Sequence, residues 1–132
     1  MLNLKDKVAF VTGAGSVGPG WGNGKAAAVL LARQGAQVFG TDINLKAVQD
    51  TCAIITKEGG SSSAHACDMT ASDSVKAAVD ACMAQYGRID ILVNNVGGSA
   101  PGDPVSMSEE VWDRQVDHNL KTAFLGCKHV LP

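Results

Sequence analysis

The sequence has 132 residues, 45% of them hydrophobic and 18% charged, with a formal net charge of −2. This is the profile of one ordinary globular domain with enough chain to build a core; it offers no basic field for nucleic acid and no apolar run long enough to span a membrane. The first seven residues lack the apolar centre of a signal peptide, so cytoplasm is the expected compartment, with no membrane or nucleic-acid partner.

Val8 to Thr12 reads as a first strand. It runs into a glycine-dense turn, Gly13-Ala14-Gly15-Ser16-Val17-Gly18-Pro19-Gly20-Trp21-Gly22-Asn23-Gly24. The turn opens onto an alanine-rich helix from about Gly24 to Gln34, with Gly35 as its stop. Glycines let the backbone approach a ligand closely, and the first N–H groups of a helix have no partner inside it. The combination suits an anion such as a pyrophosphate. Gly13, Gly15 and Gly18 fit G-x-G-x-x-G, while Gly18, Gly22 and Gly24 fit a second register. The glycines alone would equally suit a surface loop; the flanking strand and helix favour the nucleotide reading.

A second strand covers Ala36 to Thr41 and ends at Asp42, and a helix follows over Leu45 to Lys57. Leu45, Val48, Cys52 and Ile55 share one face of it, and Glu58-Gly59-Gly60 ends it. A short third strand, Ser63 to Ala66, leads to Cys67-Asp68-Met69. Thr70 and Asp73 have capping-box spacing for a helix over Ala71 to Tyr86, with Val75, Val79, Cys82 and Tyr86 inward and Gly87 as stop. The fourth strand is Ile89 to Asn94. After a loop rich in Gly, Ser and Pro, Ser106 and Glu109 offer a second capping box for a last helix, about Ser108 to Leu131. Its apolar stripe is Trp112, Val116, Leu120, Ala123, Cys127 and Val130.

Strands alternating with long helices imply β-α-β units and a parallel sheet with right-handed crossovers. The fold class is α/β: half of a Rossmann-like doubly wound sheet, four strands in the order 3-2-1-4 with four helices. Ligands of such sheets bind at the carboxyl ends of strands one and four, where the winding reverses.

Several polar residues fall at those ends. Asp42 can accept hydrogen bonds from both hydroxyls of an adenosine ribose, and its charge would repel a 2′-phosphate. No Arg or Lys stands at positions 41, 43 or 44, which favours NAD over NADP; Lys46 lies nearby. The alternative for Asp42 is an N-cap of the second helix. Asp42 lies 29 positions after Gly13, against a usual spacing of about 20, so the glycine turn is lengthened. Asp68 can accept from an adenine amino group or serve as a loop or cap residue. In Asn94-Asn95-Val96-Gly97 the amides can bridge neighbouring strand ends, or the segment is a plain turn. Asn119 falls within the last helix's apolar stripe, where it must bond something internal, or else it sits half-solvated at the stripe's margin. Cys52, Cys67, Cys82 and Cys127 form no C-x-x-C, and His65, His118 and His129 have no metal-ligand spacing; reduced packing cysteines and no metal site are expected.

These residues, in this order, resemble the amino-terminal half of a short-chain dehydrogenase/reductase. The matching pieces are Val11-Thr12-Gly13-Ala14-Gly15-Ser16, Gly22-Asn23-Gly24-Lys25-Ala26, Asp42, Cys67-Asp68-Met69, Gly87 to Gly97, and Asp117-His118-Asn119-Leu120. The resemblance implies an NAD(P)-dependent oxidoreductase acting on an alcohol/ketone pair of small molecules. It implies that Gly13, Gly22 and Gly24 line the pyrophosphate turn, with Ser16, Asn23 and Asn95 in the same cofactor-binding set. Asp42 would hold the ribose, Asp68 would touch adenine, Asn94 would brace the central sheet and Gly97 would lie near the cofactor. Asn119 would be the first member of an Asn-Ser-Tyr-Lys tetrad, holding a water in a proton relay.

The chain also departs from the family pattern. About five extra residues, Val17 to Trp21, interrupt the glycine motif; Gly20-Trp21-Gly22 resembles the enoyl-reductase branch, while Asn94-Asn95-Val96-Gly97 resembles the main branch. Asn23 stands where the family usually has an apolar residue. No Ser and Tyr-x-x-x-Lys follow before Pro132, and the one tyrosine, Tyr86, has Asp90 four positions on. The expectation is a cofactor-binding piece, residues 1–132, inactive alone; the alternative is a non-catalytic nucleotide-binding module or a folding fragment. In the family the last helix forms much of the subunit interface, so a homo-oligomer through that helix is expected.

Overall fold

The computed structural model describes residues 2–132. Four parallel strands, β1 (Val8–Thr12), β2 (Gln37–Asp42), β3 (Ser61–Ala66) and β4 (Ile91–Val93), form one sheet in the order β3-β2-β1-β4. Phe10 lies between Phe39 and Leu92, and Val11 between Gly40 and Val93. The helices are α1 (Asn23–Arg33), α2 (Leu45–Lys57), α3 (Ser72–Tyr86), α4 (Glu109–Val116) and α5 (Thr122–Val130), the last two joined without a break by a π-helical turn, Asp117–Lys121. They form one helical run, so the described residues have the expected four helical segments.

Each face of the sheet carries its own core, because successive strand residues point to opposite sides. Val8, Phe10 and Phe39 pack with Val75, Val79, Cys82 and Leu125 under α3 and α5. Ala9, Val11 and Val38 pack with Ala28, Val29, Val48 and Ile55 under α1 and α2. Every residue of β1 is buried, as a central parallel strand covered on both faces must be.

Several local expectations are corrected. Neither capping box forms. Thr70 is occupied by Asp68, to which it donates from both its N–H and its hydroxyl, at 2.9 and 2.6 Å; α3 starts at an Ala71 N-cap with no side-chain bond. Ser108, not Ser106, caps α4, accepting from the Val111 N–H, while Ser106 belongs to the turn folded around Asp103. On α2 the buried face is Val48, Thr51 and Ile55, rotated so that Leu45 is exposed and Cys52 half-buried. The expected stripe of the last helix is covered only at its C-terminal end: Ala123, Cys127 and Val130 are half-buried, while Trp112, Val116 and Leu120 are exposed, as is Phe124 beside them. The chain buries this run instead through Thr122, Leu125 and Gly126. All four cysteines are free, and among the described residues no group of side chains could hold a metal ion and no helix is long and apolar enough to cross a membrane.

Candidate functional site

The carboxyl ends of β1, β2 and β4 open into a cleft of about 510 Å³. All nine sequence-chosen binding positions line it. Gly13, Ser16, Gly22, Asn23 and Gly24 form the side beneath α1, Asp42 and Asp68 the side at the ends of β2 and β3, and Asn95 and Gly97 the side beyond β4.

The glycine turn is built in two parts. Gly13 has φ +62°, and a β-carbon there would come within 2.8 Å of Asn95 Nδ2. A β-carbon on Gly24 would overlap the Gly13 carbonyl oxygen. These two glycines therefore let α1 dock against the strand ends. Gly22, the N-cap of α1, has room for a β-carbon, which would make ordinary contacts of 3.9 Å with the Gly15 carbonyl oxygen and Ser16 Oγ. Its N–H donates to Ser16 Oγ at 3.1 Å, and this bond closes the neck of the extra loop, whose residues 17–21 all stand exposed. The insertion thus bulges out and leaves Gly13 to Ser16 and Gly22 to Gly24 facing the same space.

No side chain caps α1 and no acidic residue stands in its first turn, in contrast to α2 and α4, capped by Asn44 and Ser108. An uncapped helix N-terminus opening into a glycine-lined cleft fits a phosphate-bearing ligand.

Asp42 is fixed by two backbone donors: Gly15 N–H to Oδ2 at 3.0 Å and Asn44 N–H to Oδ1 at 3.0 Å. It does not cap α2; Asn44 does, accepting from the Ala47 N–H. Asp68 accepts both Thr70 bonds on Oδ1. That bonding, aided by the positive charge of Lys121, holds its carboxyl below the usual range.

The bridge between strand ends is made by Asn95. Its Nδ2 donates to the carbonyls of Thr12 and Gly13, both at 3.1 Å. Thr12 completes the tie, its hydroxyl donating to the Val93 carbonyl and accepting from the Asn95 N–H. Asn94 points elsewhere, its amide bonded to Cys127 Sγ and packed against Gly126.

Asn119 is not in the cleft wall, although its neighbour His118 is. It is exposed, not buried, and sits inside the π turn. Its Oδ1 accepts from the Gly98 N–H at 3.0 Å, and its Nδ2 donates to the Gly98 carbonyl at 2.9 Å and the Gln115 carbonyl at 2.8 Å. Both side-chain donors are thus committed to ordering the segment after Asn95.

Sequence reasoning assigned no role of its own to Thr12. A Thr among valines reads as a β-branched packing residue, and only its hydroxyl partners reveal otherwise.

The family model for short chain dehydrogenases matches residues 7–132. The chain is 39% identical to D-threitol dehydrogenase of Mycolicibacterium smegmatis over 98% of its own length and 48% of that protein. It is 42% identical to the mitochondrial borneol dehydrogenase of Lavandula x intermedia over 98% of its length and 47% of that protein. Among solved structures, a metagenomic short-chain oxidoreductase in complex with NADP superposes with a TM-score of 0.88 at 34% identity, covering 98% of this chain and 57% of that one. A hydroxysteroid dehydrogenase from Escherichia coli superposes with a TM-score of 0.90 at 35% identity, covering 98% and 53%. The chain spans about half the length of the curated relatives it matches.

Proposed function

The chain belongs to the short chain dehydrogenase family, and from that premise we propose that it provides the dinucleotide-binding part of an NAD(P)-dependent oxidoreductase acting on an alcohol/ketone pair. One observation carries the reading: the nine positions chosen from sequence line a single cleft onto which the uncapped N-terminus of α1 opens. When bound there, the nicotinamide would accept or supply the hydride. The chain's own residues bind and orient: backbone amides at the start of α1 take the diphosphate, Asp42 the adenosine ribose, Asp68 the adenine, and the Asn95–Thr12 tie keeps the tips of β1 and β4 together beneath the cofactor. Gly97 lies close to it, and Asn119 holds the Gly98 peptide in place while serving as the first tetrad member. No Ser with a following Tyr-x-x-x-Lys is present among these 132 residues, so the oxidoreductase activity proposed is that of the whole protein.

We further infer a preference for NAD. A relative of known structure is in complex with NADP, so the preference rests on this chain's own residues. Asp42 is held in place by two backbone bonds, and Lys46, the nearest cation in sequence, is paired with Asp50. The sequence-based expectation of a cytoplasmic homo-oligomer, joined through the last helix, belongs to the same reading; the exposed Trp112, Val116, Leu120 and Phe124 support the contact.

Calorimetry on the 132-residue protein with NADH and NADPH tests the proposal. Binding of NADH, tighter than NADPH, is the expected result. No heat with either at millimolar ligand would overturn the binding reading, and tighter NADPH would overturn the preference alone.

A further inference from the structure

At the back of the cleft, where Gly15 is part of the lining and Ala14 lies just behind it, the Ala14–Gly15 peptide is clamped at both ends. Its carbonyl oxygen accepts from Thr51 Oγ1 at 2.8 Å. Its N–H donates to Asp42 Oδ2 at 3.0 Å. The preceding N–H, of Ala14, donates to the Thr41 carbonyl at 2.9 Å. Every one of these partners belongs to β2 or α2, so the glycine turn is tied to the element that carries the acid at its tip.

Thr51 is the member of this set whose presence needs explaining. It is 1% exposed, on an α2 face whose other buried residues are Val48 and Ile55. Valine has the same shape and would fill that space without a hydroxyl to satisfy. A helical Thr can also satisfy itself on the carbonyl four residues back, but here that contact, to Ala47, is the longer one at 3.3 Å. The Ala14 carbonyl has no other donor among the described residues. A β-carbon on Gly15 would meet Ala47 Cβ at 2.6 Å, so the loop and the first turn of α2 already touch, and the hydroxyl sets which way the peptide between them faces.

We propose that Thr51 is a positioning residue for the dinucleotide: it locks the Ala14–Gly15 peptide so that the Gly15 N–H orients Asp42 and the glycine turn keeps its shape. Loss of the hydroxyl lets the peptide rotate, releasing Asp42 from one of its two anchors. The effect falls on cofactor affinity and on NADH over NADPH selectivity together, because the phosphate turn and the ribose acid share the clamped peptide. This inference rests on the nucleotide reading of the cleft.

The test compares Thr51→Val, Thr51→Ser and Thr51→Cys with the unchanged 132-residue chain by NADH and NADPH calorimetry, together with amide hydrogen exchange at Gly15. Thr51→Val is expected to raise the NADH Kd about tenfold, or ~1.4 kcal/mol, to narrow the NADH/NADPH ratio, and to speed Gly15 exchange while the β2 amides keep their protection. Thr51→Ser, which keeps the donor, is expected to restore all three; Thr51→Cys, a weak donor of similar size, falls between. If Thr51→Val fails to fold, the order Thr, Ser, Cys in Kd and in Gly15 exchange decides. Unchanged Gly15 exchange and an unchanged cofactor ratio would overturn the positioning role, even if the melting temperature falls. Failure of the unchanged chain to bind either nucleotide would instead sink the nucleotide reading, and the exchange data would still judge the clamp.

Discussion

The α-carbon of Gly24 faces the Gly13 carbonyl oxygen so closely that a β-carbon would overlap it. Helix α1 thus reaches the strand end at a point where no side chain fits. Gly24→Ala is expected to cost about 1–3 kcal/mol or more of stability, seen as a lower melting temperature. Gly18, in the exposed loop with nothing within 4 Å, is the control: Gly18→Ala should stay within about 0.5 kcal/mol of the parent.

Asp42→Ala is expected to weaken NADH binding by about 1.5–3 kcal/mol, the range for hydrogen bonds to a charged group. NADPH should lose less, because the carboxylate that repels its 2′-phosphate is gone. Calorimetry with both nucleotides checks this; an unchanged ratio would remove Asp42 from the ribose.

Asp90 gives the fold an acid-sensitive tie. Hydrogen bonds from Arg88 and from the Val8 N–H hold its carboxyl down at about 2, below the usual carboxylate range. As pH falls below the unfolded value, the unfolded chain takes up this proton first. The stabilisation is therefore complete above the unfolded pKa and lost as pH falls through the folded one. Urea titrations at pH 6 and at pH 2 should show the parent losing more stability between the two than Asp90→Asn does.

Trp112, Val116, Leu120 and Phe124 recur every four residues along the uncovered side of the last helix. The double substitution Leu120→Glu with Phe124→Glu should shift sedimentation toward monomer while leaving the far-ultraviolet spectrum intact. An unchanged mass distribution would move the self-association surface elsewhere.

The extent to which sequence anticipates this structure follows the physics of each signal. Helix α2 begins and ends where expected, because its periodicity and the Gly59 stop act locally; its inward face is turned because Thr51, a polar letter, is buried. Thr70 and Asp73 have the spacing of a capping box, yet Asp68 takes the Thr70 hydroxyl first. Periodicity groups Trp112 with Leu120 but says nothing about whether another element covers them. The π turn has no compositional mark. The cleft residues were legible because parallel strand order alone brings Gly13, Asp42 and Asn95 to one rim. Thr51 was not, because its role lies in a bond to a carbonyl 37 positions away.

The Ser16–Gly22 bond at the base of the extra loop has a practical corollary. It makes residues 17–21 a pendant whose two stalks are already fastened together, so closing entropy grows only slowly with whatever is spliced between them. A reporter peptide or an affinity handle could be hung between Gly18 and Trp21, at the lip of the cleft, beyond the residues that line it.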